Sequence, residues 1–294
     1  TDCIVWYSKS YKKIKYHQLY IPQDTTGKSD WLYYELNDGQ VVKLTKEEIN
    51  NPTLLPKGAR IFKPVWQKPP TFSQNNVFEF ELNGKKYAPP KGGCWITSKE
   101  RMEVLKTKQR LMEYGSSIRY KLYLDDFPFM KLTNVWNDTM GSQNKIYVVQ
   151  TSEKPILRCL QMTTDPGDIV MDPTCGSGTI AYVAEKLGCR WITADTSRVA
   201  LALARTRLMT SKFPYYELKD DEHVSAGFNY KIVPHITLKS LANDEAFPQE
   251  IIYDQPIENN KRTRVSGPFT VESLSPHRVS DAQEMVSSER FAEI

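Results

Sequence analysis

The sequence of 294 residues has no long apolar run, no C-x-x-C pair and no cluster of histidines. A membrane-crossing helix needs roughly twenty consecutive apolar residues, so no membrane span is expected. The five cysteines (Cys3, Cys94, Cys159, Cys175, Cys189) are odd in number and scattered. That usage argues against a disulfide framework or a zinc site and fits a reducing, cytoplasmic setting. The four histidines (His17, His223, His235, His277) lack ligand spacing, so no metal is expected. The N-terminal residues mix Asp2, Lys9, Lys12 and Lys13 with aromatics, so no secretory leader is expected among them. Internal repeats and long low-complexity tracts are also missing.

What is present is ordinary globular composition, with 40% hydrophobic and 25% charged residues. The net charge of +4 decides little, but its distribution is uneven. Residues 51–124 carry fourteen Lys and Arg against five Glu, an excess of nine, so the rest of the chain is net acidic. A basic block of this kind attracts polyanions such as nucleic-acid phosphates. The chain also opens on Ile4-Val5-Trp6-Tyr7, an apolar, strand-like run, and so reads as a piece of a longer protein.

Composition divides the sequence. Residues 11–130 are rich in Tyr, Trp, Lys and Pro, with turn signals at Asp38-Gly39, Asn83-Gly84 and Gly92-Gly93. Phe78–Leu82 followed by Asn83-Gly84 predicts a strand entering a hairpin. Ser98 before Arg101–Leu105 predicts a capped helix, and the region reads as α+β. Residues 131–212 are more regular. Ile146–Val149 is a short apolar run, and Ser152 starts a helix reaching about Thr164. Asp165-Pro166-Gly167 is a tight turn. Ile169-Val170-Met171 has the look of a strand buried in a parallel sheet. Helices are expected from Thr179 to Leu187, with Gly188 at the C′ position, and from Ser197 to Met209. Trp191–Ala194 is the strand between them. The alternation predicts a βαβ crossover and an α/β, doubly wound sheet. Residues 213–294 are broken by prolines and read as an extension whose tail, from Ser280, is polar and partly disordered.

The chemistry concentrates between Ile169 and Asp195. A strand ends in Asp172, passes through Gly176-Ser177-Gly178, and enters a helix. Asp195 closes the strand that follows that helix. Open parallel sheets bind ligands beyond the carboxyl ends of their strands, which puts both acids on the ligand side. Asp195 is placed to accept the two hydroxyls of a ribose. A P-loop would need Gly-Lys-Ser/Thr after the glycines, and Gly178-Thr179-Ile180 does not supply it. A nicotinamide site usually shows G-x-G-x-x-G, and Ala181 in the last place is a tolerated variant. Charge separates the alternatives further. An acid at Asp172 would repel a pyrophosphate and suits a ligand bearing an ammonium and a sulfonium, as S-adenosylmethionine does.

The segments Gln150–Pro155, Asp165-Pro166-Gly167-Asp168 and Asp172-Pro173-Thr174-Cys175-Gly176-Ser177-Gly178-Thr179 resemble the permuted (β-class) amino-methyltransferases acting on DNA, in which a T-x-K-P-like segment precedes a D-P-F-x-G-S-G-T cofactor loop. Thr133–Trp136 is similar to the D-V-W segment that closes their target-recognition region, and Ile4–Lys9 to the strand before it. The likeness looks strongest to large bacterial methylases of the type III kind. Ser152-Glu153 stands where Thr-Gln is usual, and Thr174-Cys175 where Phe-x is usual. The resemblance implies a partial Rossmann-like methyltransferase sheet at residues 131–212, a target-recognition region at 11–130, and the end of an upstream catalytic half at 1–10. It implies transfer of a methyl group to an exocyclic base amine, adenine N6 or cytosine N4, in a restriction-modification setting. S-adenosylmethionine would be the cofactor and double-stranded DNA the substrate, with a restriction subunit or a second copy as candidate partners. Ser152 and Lys154 would lie near the methionine carboxylate, although Ser152 is equally a helix N-cap. Asp172 would lie near the methionine amine and Asp195 on the ribose. Pro173, Thr174, Gly176, Ser177, Gly178, Thr179 and Thr196 would complete the loop. Trp136 would flank the cofactor or sit in the core.

The family's catalytic tetrad, [D/N/S]-P-P-[Y/F/W], is missing from the sequence. The Pro-Pro pairs lie in Lys68-Pro69-Pro70-Thr71 and Ala88-Pro89-Pro90-Lys91, with the wrong flanks. No catalytic residue is therefore assigned, and a tetrad upstream of Ile4 is expected. Arg60, Arg101, Arg110 and Arg119 are the candidates for DNA contact. Two rival readings remain: a nicotinamide-dependent oxidoreductase, and a non-catalytic DNA-binding specificity module.

Overall fold

Short strands punctuated by glycine and asparagine turns build the chain as far as Lys131. The computed structural model describes residues 3–28, 30–66, 69, 71–89, 91–139 and 151–272. The expected run Ile146–Val149, Gln150, the tail from Ser280, and Lys68, Pro70 and Pro90 of the Pro-Pro segments lie outside the described residues.

After β1 (Tyr20–Pro22) come β2 (Tyr33–Glu35) and β3 (Val41–Lys43), joined through Asp38-Gly39 with Gly39 at φ +85°. The short helix α1 (Lys46–Asn50) starts on a reciprocal capping box between Thr45 and Glu48. It is followed by β4 (Arg60–Val65), β5 (Phe80–Leu82) and β6 (Lys85–Tyr87). The expected Asn83-Gly84 hairpin joins β5 to β6, with both turn residues at positive φ, 53° and 78°. The predicted helix α2 (Lys99–Thr107) buries Met102 and Leu105, three apart on one face. Ser98 stands at its N-cap position without a capping hydrogen bond. Next are β7 (Leu111–Tyr114), β8 (Ser117–Tyr123) and β9 (Phe129–Lys131). Five of these strands make one antiparallel sheet in the order β3-β2-β4-β8-β7, and β1 pairs with β9. One face of the sheet packs on α2 through Leu111, Ile118 and Tyr120, joined by Phe80, Leu82, Tyr87 and Trp95.

The second part follows the predicted alternation: α3 (Glu153–Thr163), β10 (Ile169–Asp172), α4 (Thr179–Lys186), β11 (Arg190–Thr193) and α5 (Arg198–Thr210). The turn at Pro166-Gly167 closes with Asp168 N donating to Asp165 O at 3.1 Å. β10 and β11 run parallel, with Asp172 opposite Thr193. Val170, Val183, Ala184, Leu187 and Cys189 form the core between this pair and the helices α3 and α4. The opposite face is open. Ile169, Met171 and Ile192 are 57%, 68% and 57% exposed. The expectation of a strand buried on both faces is therefore corrected. Among the described residues only two parallel strands pair here, and no helix covers the second face.

The third part is more ordered than its prolines suggested. β12 (Phe213–Tyr216), β13 (Tyr230–Pro234), α6 (Leu238–Asn243), β14 (Gln249–Pro256) and β15 (Glu258–Arg264) form two antiparallel ladders, β12-β15 and β13-β14. Of the prolines within these strands, Pro234 and Pro256 sit at strand ends and Pro214 at the irregular register, where a missing N–H is tolerated. This part touches both others, Phe213 packing with Ala181 and Leu208 of the second. Leu241 and Ala242 enter the core beneath α2, and Ile252 packs with Tyr20 and Phe129. A second correction concerns Ile4–Tyr7. These residues form no strand and are 53–89% exposed, because among the described residues no neighbouring strand pairs with them.

Candidate functional site

The end of β10 and the end of β11 converge on one loop. Asp172, buried at 6% exposure, accepts a hydrogen bond on Oδ1 from Thr174 N at 3.1 Å, turning the chain away from the strand. Asp195 lies just past the end of β11. Its Oδ2 accepts from Gly176 N and its Oδ1 from Ser197 N, both at 2.8 Å. Cys175 N donates to Ala194 O at 2.9 Å, stitching the loop to β11. The two acids are thus brought together by the backbone they share. Backbone N–H groups of Ser197, Gly176 and Thr196 hold the Asp195 carboxyl below the ordinary carboxylate range. Each Asp195 oxygen keeps a second acceptor position.

The two glycines play different parts. Gly176 turns the loop at φ +50°. Gly178 is the N-cap of α4 at φ +73°, and a Cβ built there would lie 2.7 Å from Ala204 Cβ. Gly178 therefore admits α5 against α4, because a Cβ at this position would strike Ala204. Ser177 is 3% exposed, and its Oγ is buried without a partner. Thr179 is buried, but its Oγ1 accepts from Arg207 Nη1 at 3.0 Å, and Arg207 also pairs with Glu153 at 2.6 Å. Thr179 is thereby committed to the packing of α5 against α3 and α4. Pro173 and Thr174 are exposed on the outer side of the loop, and Thr196 is exposed after β11. Burial raises the pKa of the Cys175 thiol, which leaves it a packing residue.

At the start of α3, Ser152 occupies the N-cap, yet its hydroxyl caps nothing. Lys154 Nζ lies 2.6 Å from Asp138 Oδ2. Arg158, one turn further along the same face, makes a bidentate pair with Asp138 at 2.7 and 2.8 Å. Arg158 and then Lys154 hold the Asp138 carboxyl well below its ordinary range. The two cations thus form a carboxylate receptor, filled here by Asp138. Trp136 is half-buried, donates from Nε1 to Thr133 O at 2.7 Å and lies under the Arg158 guanidinium at 5.4 Å. It packs beside that receptor and belongs to none of the core clusters. Arg158 was legible as a second cation on the Lys154 face of the helix, four residues on, whereas nothing in the sequence singled out Asp138.

The four arginines differ in availability. Arg60 is bound bidentately by Asp125 at 2.7 and 2.8 Å. Arg110 is buried and paired with the buried Asp126 at 2.7 Å, which places it inside the fold and away from any DNA surface. Arg101 is exposed on α2. Arg119 is stacked over Tyr114 at 4.2 Å and Trp66 at 5.1 Å. An open groove of about 570 Å³ lined by Arg205, Met209 and Phe269 runs along α5, and no residue of the glycine loop lines it.

The residues fit an adenosyl cation. Two carboxylates flank the loop, a buried hydroxyl at Ser177 awaits a partner, and a carboxylate receptor stands at the start of α3. Two acids beside the loop would oppose a diphosphate. Among the described residues no three His, Cys, Asp or Glu gather as a metal site, and no helix is long and apolar enough to cross a membrane.

A family model described as DNA methylase, of the N6/N4 type, matches residues 1–206. The chain is 23% identical over 163 residues to the type II methyltransferase M.EcaI of Enterobacter cloacae, covering 53% of this chain and 35% of that protein. It is 32% identical over 82 residues to the type II methyltransferase M2.DpnII of Streptococcus pneumoniae, covering 26% of this chain and 31% of that one. The solved PvuII DNA methyltransferase (cytosine-N4-specific) aligns at 14% identity over 55% of each chain, with a TM-score of 0.24. The chain spans about a third of the length of the curated relatives it matches. Both are type II enzymes, whereas the sequence likeness points to the type III kind.

Proposed function

The chain belongs to the N6/N4 DNA methylase family, whose model spans residues 1–206, and from that membership we propose that it supplies the cofactor site and target-recognition region of a DNA amino-methyltransferase. The acceptor is an exocyclic amine, adenine N6 or cytosine N4, in double-stranded DNA. One observation carries the proposal: carboxylates closing two adjacent parallel strands grip the same glycine loop, through Thr174 N and through Gly176 N.

S-adenosylmethionine, when bound, supplies an electrophilic methyl group on a sulfonium centre. The chain's residues bind and orient it. Asp195 accepts the ribose hydroxyls on its remaining lone pairs, while its backbone bonds fix the carboxylate beforehand. Asp172 balances the ammonium charge. Ser177 donates or accepts with its buried hydroxyl. Lys154, together with Ser152 at the start of α3, takes the amino-acid carboxylate in place of Asp138. The five-stranded sheet, set in the part of the chain with the basic excess, engages the duplex. The base-binding tetrad is not in this sequence, so the chain alone binds cofactor without methylating. The permuted order of segments, a cytoplasmic setting, and a restriction subunit or second copy as partner belong to the same proposal.

Titration calorimetry with S-adenosylhomocysteine and with NAD tests this reading. Binding of the first and none of the second is expected, and Asp195→Ala is expected to weaken binding by about tenfold or more. NAD binding with indifference to S-adenosylhomocysteine would overturn it.

A further inference from the structure

The side of the five-stranded sheet turned away from α2 carries an alternation of rings and cations. Register places Tyr33 opposite Phe62, Phe62 opposite Tyr123, and Pro64 opposite Lys121, so these side chains share a face. Further along β8 that face continues to Arg119, which pairs with Met112, and Tyr114 follows on the same face of β7. Trp66, directly after β4, joins it at 41% exposure. Rings meet across the face, Tyr33 stacked on Phe62 at 5.6 Å and Phe62 tilted against Tyr123 at 5.4 Å.

The cations on this face are not equivalent. Lys121 is buried and paired with Glu35 at 2.9 Å, and Arg60 is bound by Asp125. These pairs hold the sheet together and have no charge to spare. Arg119 has no carboxylate partner among the described residues. Its guanidinium is stacked over Tyr114 on one strand and Trp66 on another. Its Nε is buried and unpartnered, and the residue as a whole is partly exposed. A fork held between two rings, with no carboxylate partner among the described residues, is matched to a pair of acceptors lying in one plane. In a duplex such a pair is the O6/N7 edge of guanine in the major groove. Phosphate oxygens are the other source of paired acceptors, but a phosphate contact does not need a fixed plane, and the flexible lysines of the basic block suffice for it.

We propose that Arg119, clamped by Tyr114 and Trp66, determines sequence specificity by reading a guanine edge of duplex DNA. The inference rests on the reading of residues 11–130 as the target-recognition region. Arg119 makes the base contact, and Trp66 and Tyr114 are positioning residues that hold its plane.

The test uses the whole chain and a library of duplexes with a randomised core. Sequences retained by the wild type are identified, and binding to the best of them and to its single-base-pair variants is measured by fluorescence anisotropy at several salt concentrations. The expected result is a preference containing at least one G·C pair whose replacement costs about ten- to a hundredfold in affinity. Arg119→Ala abolishes the preference at that one position. Trp66→Ala weakens it although the cation is retained, and Trp66→Phe restores it. Thermal unfolding and S-adenosylhomocysteine binding are measured on every variant, so loss of fold or of the cofactor site is seen separately. Uniform weakening across all sequences by Arg119→Ala, with a salt slope smaller by about one, would identify a phosphate contact and overturn the proposal. Failure of the wild type to enrich any sequence while it binds S-adenosylhomocysteine would also overturn it, leaving the cofactor reading standing.

Discussion

Replacing Gly178 with alanine separates two costs that the structure stacks on one residue. Its φ of +73° lies in the left-handed region, where an L side chain costs about 1–2 kcal/mol. The new Cβ would meet Ala204 Cβ at 2.7 Å and Ala204 Cα at 3.2 Å. Ala204 is 5% exposed on α5 and held by the helix around it, so little relief is open, and overpacking of this kind costs about 1–3 kcal/mol. Together the loss comes to about 2–5 kcal/mol, a large share of the roughly 5–15 kcal/mol that hold a domain folded. Urea denaturation followed by tryptophan fluorescence measures it, since Trp191 lies in the same unit against α4. Ala204→Gly removes the struck methyl at an intrinsic helix cost of about 1 kcal/mol. The double variant should therefore be more stable than the sum of the single changes by about 1 kcal/mol or more, without full recovery, because the φ cost remains. Stability within about 0.5 kcal/mol of wild type for Gly178→Ala, or strict additivity in the cycle, would refute the reasoning.

Three further outcomes follow from individual polar side chains. Asp126 is 1% exposed and paired with Arg110, so Asp126→Ala, which strands a buried guanidinium, should cost about 3–5 kcal/mol in urea, and Arg110→Met with Asp126→Leu should recover most of it. Ser177→Ala should leave the unliganded chain as stable or slightly more stable, by up to about 1 kcal/mol, while weakening S-adenosylhomocysteine binding in calorimetry. Arg158 and Lys154 depress the Asp138 carboxyl, so its stabilising pair is fully present above the ordinary carboxylate pKa and is lost as pH falls through the depressed one. The stability gap between wild type and Asp138→Asn should be constant near neutrality and close in acid, and a gap that persists at the lowest pH would contradict it.

The sequence made the central unit legible because its signals are local. Asp172, the glycines and Asp195 fall at the ends of short apolar strands, and Gly188 and Ser197 mark helix ends. The Asn83-Gly84 hairpin was equally plain, since both residues must adopt positive φ. Local pattern did not report how many strands flank β10, so Ile169 and Met171 looked buried when they are exposed. Nor did it show that Gly178 answers to Ala204, a contact between two helices separated by a strand in the chain. The strands after Phe213 escaped notice because prolines at their ends mimic loop signals. Among the arginines only the fold could choose. Arg110 and Arg119 both lie in the basic block, yet one is sealed against Asp126 and the other is stacked at the surface.

Amide hydrogen exchange, with and without saturating S-adenosylhomocysteine, probes the cofactor loop most directly. The account predicts that protection rises at residues 172–179 and 194–197, the amides of Gly176 and Ser197 among them, and at the start of α3. Protection appearing along α5 and residues 265–271 while the loop exchanges unchanged would contradict it.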